Sequence, residues 1–106
     1  MNALDALADP VRRRMVELLV GGSRTAGELA VAVGDEFSIS QPAASRHLRV
    51  LREAELVSSS IDGQRRIYRL EREPFDELDA WLSGVRAFWQ QRLDALETEV
   101  ARGKKR

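Results

Sequence analysis

Apolar residues in the last third of the chain recur at spacings of three and four residues, the spacing of one helix face. The sequence predicts a long helix from Glu73 or Pro74 to Val100, carrying a continuous apolar seam about seven turns long. The seam consists of Phe75, Leu78, Leu82, Val85, Trp89, Leu93, Leu96 and Val100. A chain of 106 residues buries only about two-thirds of its unfolded surface, so burial of the seam in a dimer interface would add to its stability.

Two further aromatic residues widen the seam. Trp81 and Phe88 lie beside it and are seven residues apart, so they fall on the same side of the helix. Together with Trp89 they are predicted to belong to the core or to a dimer interface. A small-molecule pocket between the long helices is the alternative.

Residues Ser40–Leu51 predict a second amphipathic helix. Ser40 can cap its N-terminus, and Pro42 lies in the first turn, where a missing N–H has little cost. The apolar stripe consists of Ala44, Leu48 and Leu51. The polar stripe consists of Gln41, Ser45, Arg49 and Arg52, with Arg46 beside it.

The outer face of this helix favours DNA binding. Three arginines and no acidic residue occur between Gln41 and Arg52. Glutamine and arginine can pair with base edges in the major groove, and serine and arginine can reach phosphates. A solvated surface helix is the alternative.

The first part of the chain predicts two helices. Asn2–Ala8 is expected to form a short helix. Asp9 is a favourable N-cap, and Pro10 fits the first position of a second helix. Gly21-Gly22 is expected to end that second helix.

A third helix and a turn are predicted before Ser40. Thr25 and Glu28 have the spacing of a capping box. Gly34 is expected to end the helix, and residues 35–39 to form the turn. With the Ser40–Leu51 helix, this segment predicts a helix-turn-helix from Thr25 to Ala54.

A β-hairpin is predicted after the helix-turn-helix. Asp62-Gly63 is a hairpin turn signal, and the flanking residues favour strands. The second strand carries Arg65, Arg66 and Arg69. Residues 40–70 hold six arginines and three acidic residues, whereas residues 71–101 hold three arginines and eight acidic residues. The helix and the hairpin therefore form a basic region suited to one duplex.

The composition argues against several other functions. The chain has no cysteine and one histidine, too few for a soft-metal site. It lacks a glycine-rich phosphate loop and a carboxylate cluster, so an enzyme is not expected. No apolar run approaches the roughly 20 residues of a membrane span, and the N-terminus lacks the basic part of a signal peptide. We expect a cytoplasmic protein with no cofactor and no membrane partner.

Four segments carry a resemblance to a known family. They are residues 8–13 (ADPVRR), 27–30 (GELA), 40–51 (SQPAASRHLRVL) and 63–68 (GQRRIY). They resemble the ArsR/SmtB family of bacterial winged-helix repressors. The resemblance implies a mostly α winged helix-turn-helix fold with a small β-hairpin. It also implies a homodimer built from the first and last helices, a palindromic operator in double-stranded DNA, negative autoregulation and an inducer that releases the DNA.

The chain departs from the metal-sensing members of this family. Those members use a Cys-x-Cys-type motif on a helix of the DNA-binding domain, or Asp and His ligands on the last helix. Here residues 28–33 have apolar side chains where such cysteines would fall, and the predicted last helix has no histidine. The chain resembles the metal-independent branch.

These observations predict two sets of residues. The predicted DNA contacts are Ser40, Gln41, Ser45, Arg46, His47, Arg49, Arg65 and Arg66. The predicted dimer interface consists of Leu4, Leu7, Leu82, Val85, Trp89, Leu93 and Leu96. Alternatives stay open: Arg49 could pair with Glu53 instead, and Arg12, Arg13 and Arg14 could either contact phosphates or be solvated.

Residues 1–101 are predicted to form one winged helix-turn-helix domain with dimerisation helices at both ends, and residues 102–106 a disordered basic tail. The alternative function is a winged-helix module whose long apolar helix binds a different protein.

Overall fold

The computed structural model describes residues 2–104 of the chain. The elements follow in the order α1 (Ala3–Ala6), α2 (Pro10–Leu19), β1 (Arg24–Thr25), α3 (Ala26–Phe37), α4 (Gln41–Glu53), β2 (Val57–Asp62), β3 (Arg65–Leu70) and α5 (Arg72–Lys104). The predicted fold class is confirmed: a mostly helical chain with a small antiparallel sheet and a long last helix. The chain divides into two compact units, one ending at Phe75 and the other beginning at Asp76.

The core of the first unit is formed by the apolar stripes of α2, α3 and α4 together with the start of β2. Its largest fully buried side chains are Met15, Leu29, Val33, Leu51 and Leu56. Among residues 2–104, no polar or charged residue is buried. Burial of apolar surface therefore holds the helices together, and polar contacts lie at the rim.

The predicted starts of α2 and α3 are confirmed. Asp9 Oδ1 accepts hydrogen bonds from the backbone N–H groups of Val11 and Arg12, at 2.8 and 3.2 Å. Thr25 and Glu28 form a full capping box, in which each side chain accepts from the other residue's backbone N–H. The bond from the Thr25 backbone lowers the pKa of the exposed Glu28 carboxyl, because it stabilises the charged form.

The predicted end of α3 at Gly34 is wrong, because the helix continues for almost one more turn to Phe37. Phe37 packs against the core, so the extra turn buries apolar surface. Ser38 then ends the helix in the left-handed region, at a φ of 55°. The turn before α4 is consequently shorter than residues 35–39.

Three strands form an antiparallel sheet in the order β1-β3-β2. In the β2–β3 hairpin, Asp62 pairs with Arg65 across a two-residue loop. The loop begins with Gly63 at a φ of 63°, a conformation that glycine adopts without steric cost. Strand β1 is not predicted from the sequence, because two residues carry no alternation pattern.

Two predicted helix limits differ from the structure. Helix α1 is shorter than predicted, since only Ala3–Ala6 is helical. Helix α4 ends at Glu53, two residues beyond the predicted Leu51. Glu55 follows in the left-handed region at a φ of 62°, and the Leu56 backbone N–H donates to the Leu51 carbonyl at 3.1 Å. That bond is typical of a Schellman motif, in which glycine usually takes the place of Glu55.

The second unit consists of the α5 segment that begins at Asp76. The helix extends beyond the predicted end at Val100 to Lys104, so part of the predicted disordered tail is helical. Lys105 and Arg106, also assigned to that tail, lie outside the described residues. Within residues 2–104, no helix has the length and apolar character needed to cross a membrane.

Candidate nucleic-acid interface

Helix α4 separates an apolar face from a polar one. Ala44, Leu48 and Leu51 are buried in the core. The opposite side presents four exposed side chains, which we call the recognition face: Gln41, Ser45, Arg46 and Arg49. Their guanidinium, amide and hydroxyl groups are those that pair with base edges and phosphates.

The arginines of the recognition face are available for an external ligand. No side chain within the described part of the chain pairs with Arg46 or Arg49, so the alternative ion pair between Arg49 and Glu53 does not form. An arginine with no internal partner keeps all of its donors for another molecule.

Ser40 caps α4, as predicted. Its Oγ accepts a hydrogen bond from the Ala43 backbone N–H at 3.3 Å. Pro42 lies in the first turn and has no N–H to satisfy. The hydroxyl proton of Ser40 stays available as a donor, which is compatible with a phosphate contact.

His47 lies apart from the recognition face. Its side chain is 22% exposed, and its Nδ1 lies 4.0 Å from Asp9 Oδ1. The same nitrogen lies 3.1 Å from an Nη1 atom of Arg12. The structure therefore brings His47 against the start of α2, whereas the other predicted residues of α4 face outwards.

The three consecutive arginines of α2 have different surroundings, which the sequence could not distinguish. Arg12 is partly buried, and its side chain contacts His47 and the Ala6 carbonyl. Arg14 Nε pairs with Glu36 Oε2 of α3 at 3.2 Å. Arg13 is exposed.

The β2–β3 hairpin, which we call the wing, carries exposed arginines on both of its faces. Arg65 and Arg66 are consecutive in β3 and so point in opposite directions, as predicted. An Nη2 atom of Arg65 donates to Asp62 Oδ2 at 3.1 Å, and an Nη1 atom of Arg66 donates to Ser59 Oγ at 3.4 Å. Arg69 is exposed on the same face as Arg65, and strand alternation could have added it to the predicted site.

The predicted dimer residues of α5 are largely exposed. Leu82, Trp89, Leu93 and Leu96 retain 46–57% of their accessible surface, as do Trp81 and Phe88 beside them, and Val85 is half-buried. In α1 and just after it, Leu4 is 50% exposed, whereas Leu7 packs against the core. An exposed apolar strip of this length is typical of an interaction surface.

The described residues offer no site for a metal ion: residues 2–104 contain no group of three or more His, Cys, Asp or Glu suitably placed to hold one. The features of this surface are exposed arginines, an amide and hydroxyl groups on a helix and a hairpin. Such groups recognise nucleic acid by hydrogen bonds and charge.

Comparisons with known proteins agree with this geometry. A family profile described as a helix-turn-helix domain matches residues 7–59. The chain is 37% identical over 81 residues to the transcriptional repressor SdpR of Bacillus subtilis, covering 76% of this chain and 86% of SdpR.

Solved structures share this fold over most of the chain. A crystal structure described as a possible transcriptional regulator for arsenical resistance is 39% identical, with 93% of this chain and 96% of that one covered and a TM-score of 0.70. The homodimeric winged helix-turn-helix DNA-binding domain of a possible ArsR-family regulator from Mycobacterium bovis is 30% identical, with 78% and 73% covered and a TM-score of 0.60. These proteins are described as regulators or possible regulators of transcription, and none as an enzyme. The chain therefore belongs to the ArsR family of winged helix-turn-helix transcriptional regulators.

Proposed function

We propose that this protein is a homodimeric, autoregulated repressor that binds a palindromic operator and does not sense metals. The recognition face enters the major groove and reads bases, with Arg46 as its main base contact. Ser40 and His47 contribute contacts to the phosphate backbone. Arg65 and Arg66 of the wing contact phosphates or the adjacent minor groove.

One observation carries this proposal: the arginines of the recognition face are exposed and have no partner within the described part of the chain. Held by no internal ion pair, Arg46 and Arg49 contribute little to the fold. Their position opposite the buried stripe of α4 matches the arrangement of a recognition helix. The similarity to a protein named as a transcriptional repressor supports repression rather than activation.

The side chains that could coordinate a metal ion support metal independence. Arsenite binds thiolates, and Zn²⁺ prefers thiolates and imidazoles, whereas this chain has no cysteine and a single histidine. Although a similar structure is described as a regulator for arsenical resistance, the ligands for arsenite are missing here. Operator affinity is expected to stay constant when arsenite or Zn²⁺ is added, and a drop of tenfold or more would contradict this part of the proposal.

The test of DNA reading uses a duplex selected by the full-length chain from a random-sequence library. Its affinity is compared with that of a scrambled duplex at several salt concentrations. A specific regulator prefers its site by at least ~10³. A much smaller preference in the wild-type chain would contradict the proposal.

Three variants assign the contacts. Arg46→Ala should lower the preference by ~1–3 kcal/mol, because a base contact is lost. Arg65→Ala should weaken both duplexes equally and reduce the salt slope by about one, because a phosphate contact is lost. Arg13→Ala removes an exposed charge outside the recognition face and should leave the preference unchanged.

The exposed seam also favours a second candidate, a module whose α5 helix binds a different protein. Light scattering separates the two: the proposed repressor has twice the chain mass of 11.9 kDa, whereas a monomer would favour the second candidate.

A further inference from the structure

Arg12 joins three helices at one point. Its Nε donates to the Ala6 carbonyl at the end of α1 at 2.7 Å. Its Nη1 lies 3.1 Å from His47 Nδ1 in the middle of α4, and 3.9 Å from Asp9 Oδ2 at the start of α2. The Arg12 side chain is 14% exposed, so it has little surface left for DNA.

The contact between Arg12 and His47 has a defined direction. A guanidinium group can only donate hydrogen bonds, so Nδ1 of His47 is the acceptor. An imidazole whose Nδ1 accepts is neutral and carries its proton on Nε2. Arg12 thereby fixes the tautomer of His47 and leaves an Nε2–H donor.

His47 occupies a sensitive position on the recognition helix. It directly follows Arg46 and directly precedes Leu48, which is buried at 3% exposure. The buried residues of α4 fix its depth, but apolar contacts are not directional and allow small rotations about the helix axis. The directional hydrogen bond from Arg12 of α2 restricts that rotation, and so it fixes the direction in which the side chains of the recognition face point.

We infer that Arg12 is a positioning residue for DNA reading, which acts through Nδ1 of His47 on the orientation of α4 and does not contact DNA. This inference rests on the proposed function. It assigns the contribution of Arg12 to sequence preference, whereas a phosphate contact would contribute to overall affinity and salt dependence.

The test separates the two nitrogens of His47. In His47→Asn, the amide oxygen can take the place of Nδ1 as acceptor. In His47→Gln, the amide lies at the distance of Nε2 from the backbone, and the Nδ1 acceptor is lost. Both variants and Arg12→Ala are compared with the wild-type chain on the selected and scrambled duplexes, together with their salt slopes and urea unfolding.

The expected result is a fall of at least tenfold in preference for the selected duplex in Arg12→Ala and His47→Gln, with unchanged salt slopes. His47→Asn should keep the wild-type preference within about threefold, because loss of the proposed His47 phosphate contact lowers the affinity for both duplexes equally. If His47→Gln keeps the preference as well as His47→Asn does, the inference is overturned. The comparison of His47→Gln with His47→Asn also decides the test if Arg12→Ala fails to fold.

Two other outcomes overturn the inference in recognisable ways. A folded Arg12→Ala chain that is less stable but equally selective assigns Arg12 a purely structural role. A salt slope reduced by about one assigns it a phosphate contact. A wild-type chain with no preference contradicts the proposed function itself, and this appears in the wild-type measurement before any variant is compared.

Discussion

Leu93→Ala tests whether the seam of α5 forms the proposed dimer interface. Leu93 lies near the middle of the exposed seam and retains 52% of its accessible surface. It belongs to the second unit, which begins at Asp76. We therefore expect the substitution to weaken self-association and to leave the fold of the first unit intact.

The exposed fraction sets the size of the effect. Complete burial of a leucine side chain stabilises by about 1.5–3 kcal/mol, so the exposed half of Leu93 accounts for about 0.8–1.5 kcal/mol per protomer. A twofold interface contains the residue twice, which gives about 1.5–3 kcal/mol. The dimer Kd should rise roughly 10- to 150-fold.

Sedimentation equilibrium over a dilution series measures this Kd directly. Gln91→Ala is the matched control, because Gln91 is exposed on the same helix but lies outside the seam. It should leave the Kd within about threefold of the wild-type value. The reasoning is refuted if the wild-type chain dimerises and both variants dimerise equally well, because the interface would then lie elsewhere.

Three further predictions concern stability. Leu51→Ala should lower the free energy of unfolding by about 2–5 kcal/mol, because Leu51 is fully buried. The control Val31→Ala changes a side chain that is 64% exposed and should alter the free energy of unfolding by less than about 0.5 kcal/mol. Urea unfolding measures both changes. Glu55→Gly should raise the urea midpoint and the free energy of unfolding by up to about 1 kcal/mol, because glycine adopts the left-handed conformation of this position without steric strain. A lower urea midpoint in the variant would contradict the argument that Glu55 is strained. Glu28→Gln should keep the capping box but make the stability of the protein less sensitive to acid. The pKa of Glu28 is lowered in the folded state, so the stabilising contribution of its carboxylate is present above pH 4.5. That contribution disappears as the pH falls through the folded pKa. Urea midpoints at pH 6 and pH 3 should therefore show a larger acid-induced loss in the wild type than in the variant.

Local sequence signals predict much of this fold. The N-caps at Asp9, Thr25 and Ser40 are correct, because capping depends on a side chain and a backbone N–H only two or three residues apart. The end of α3 is not predicted correctly, because its last turn is stabilised by the packing of the partly buried Phe37 against the core. That contact depends on the tertiary structure, and Gly34 alone does not determine the end of the helix.

The candidate site follows the same division. The recognition face is predictable, because the period of the apolar stripe in α4 defines the opposite side. The difference between Arg12 and Arg13 is not predictable, since it depends on where α1 and α4 lie beside α2. Three adjacent arginines of one sequence motif thus have different surroundings for reasons that lie outside the motif.

The absence of buried polar residues among the described residues has an evolutionary consequence. Because the fold depends on apolar contacts, an exposed position such as Ser45 or Arg46 can be exchanged with little effect on stability. Under the proposed function, mutations there change the DNA sequence that is read while the protein stays folded. A gene duplicate of this regulator could therefore acquire a new target through a few surface substitutions, with no need for compensating changes in its interior.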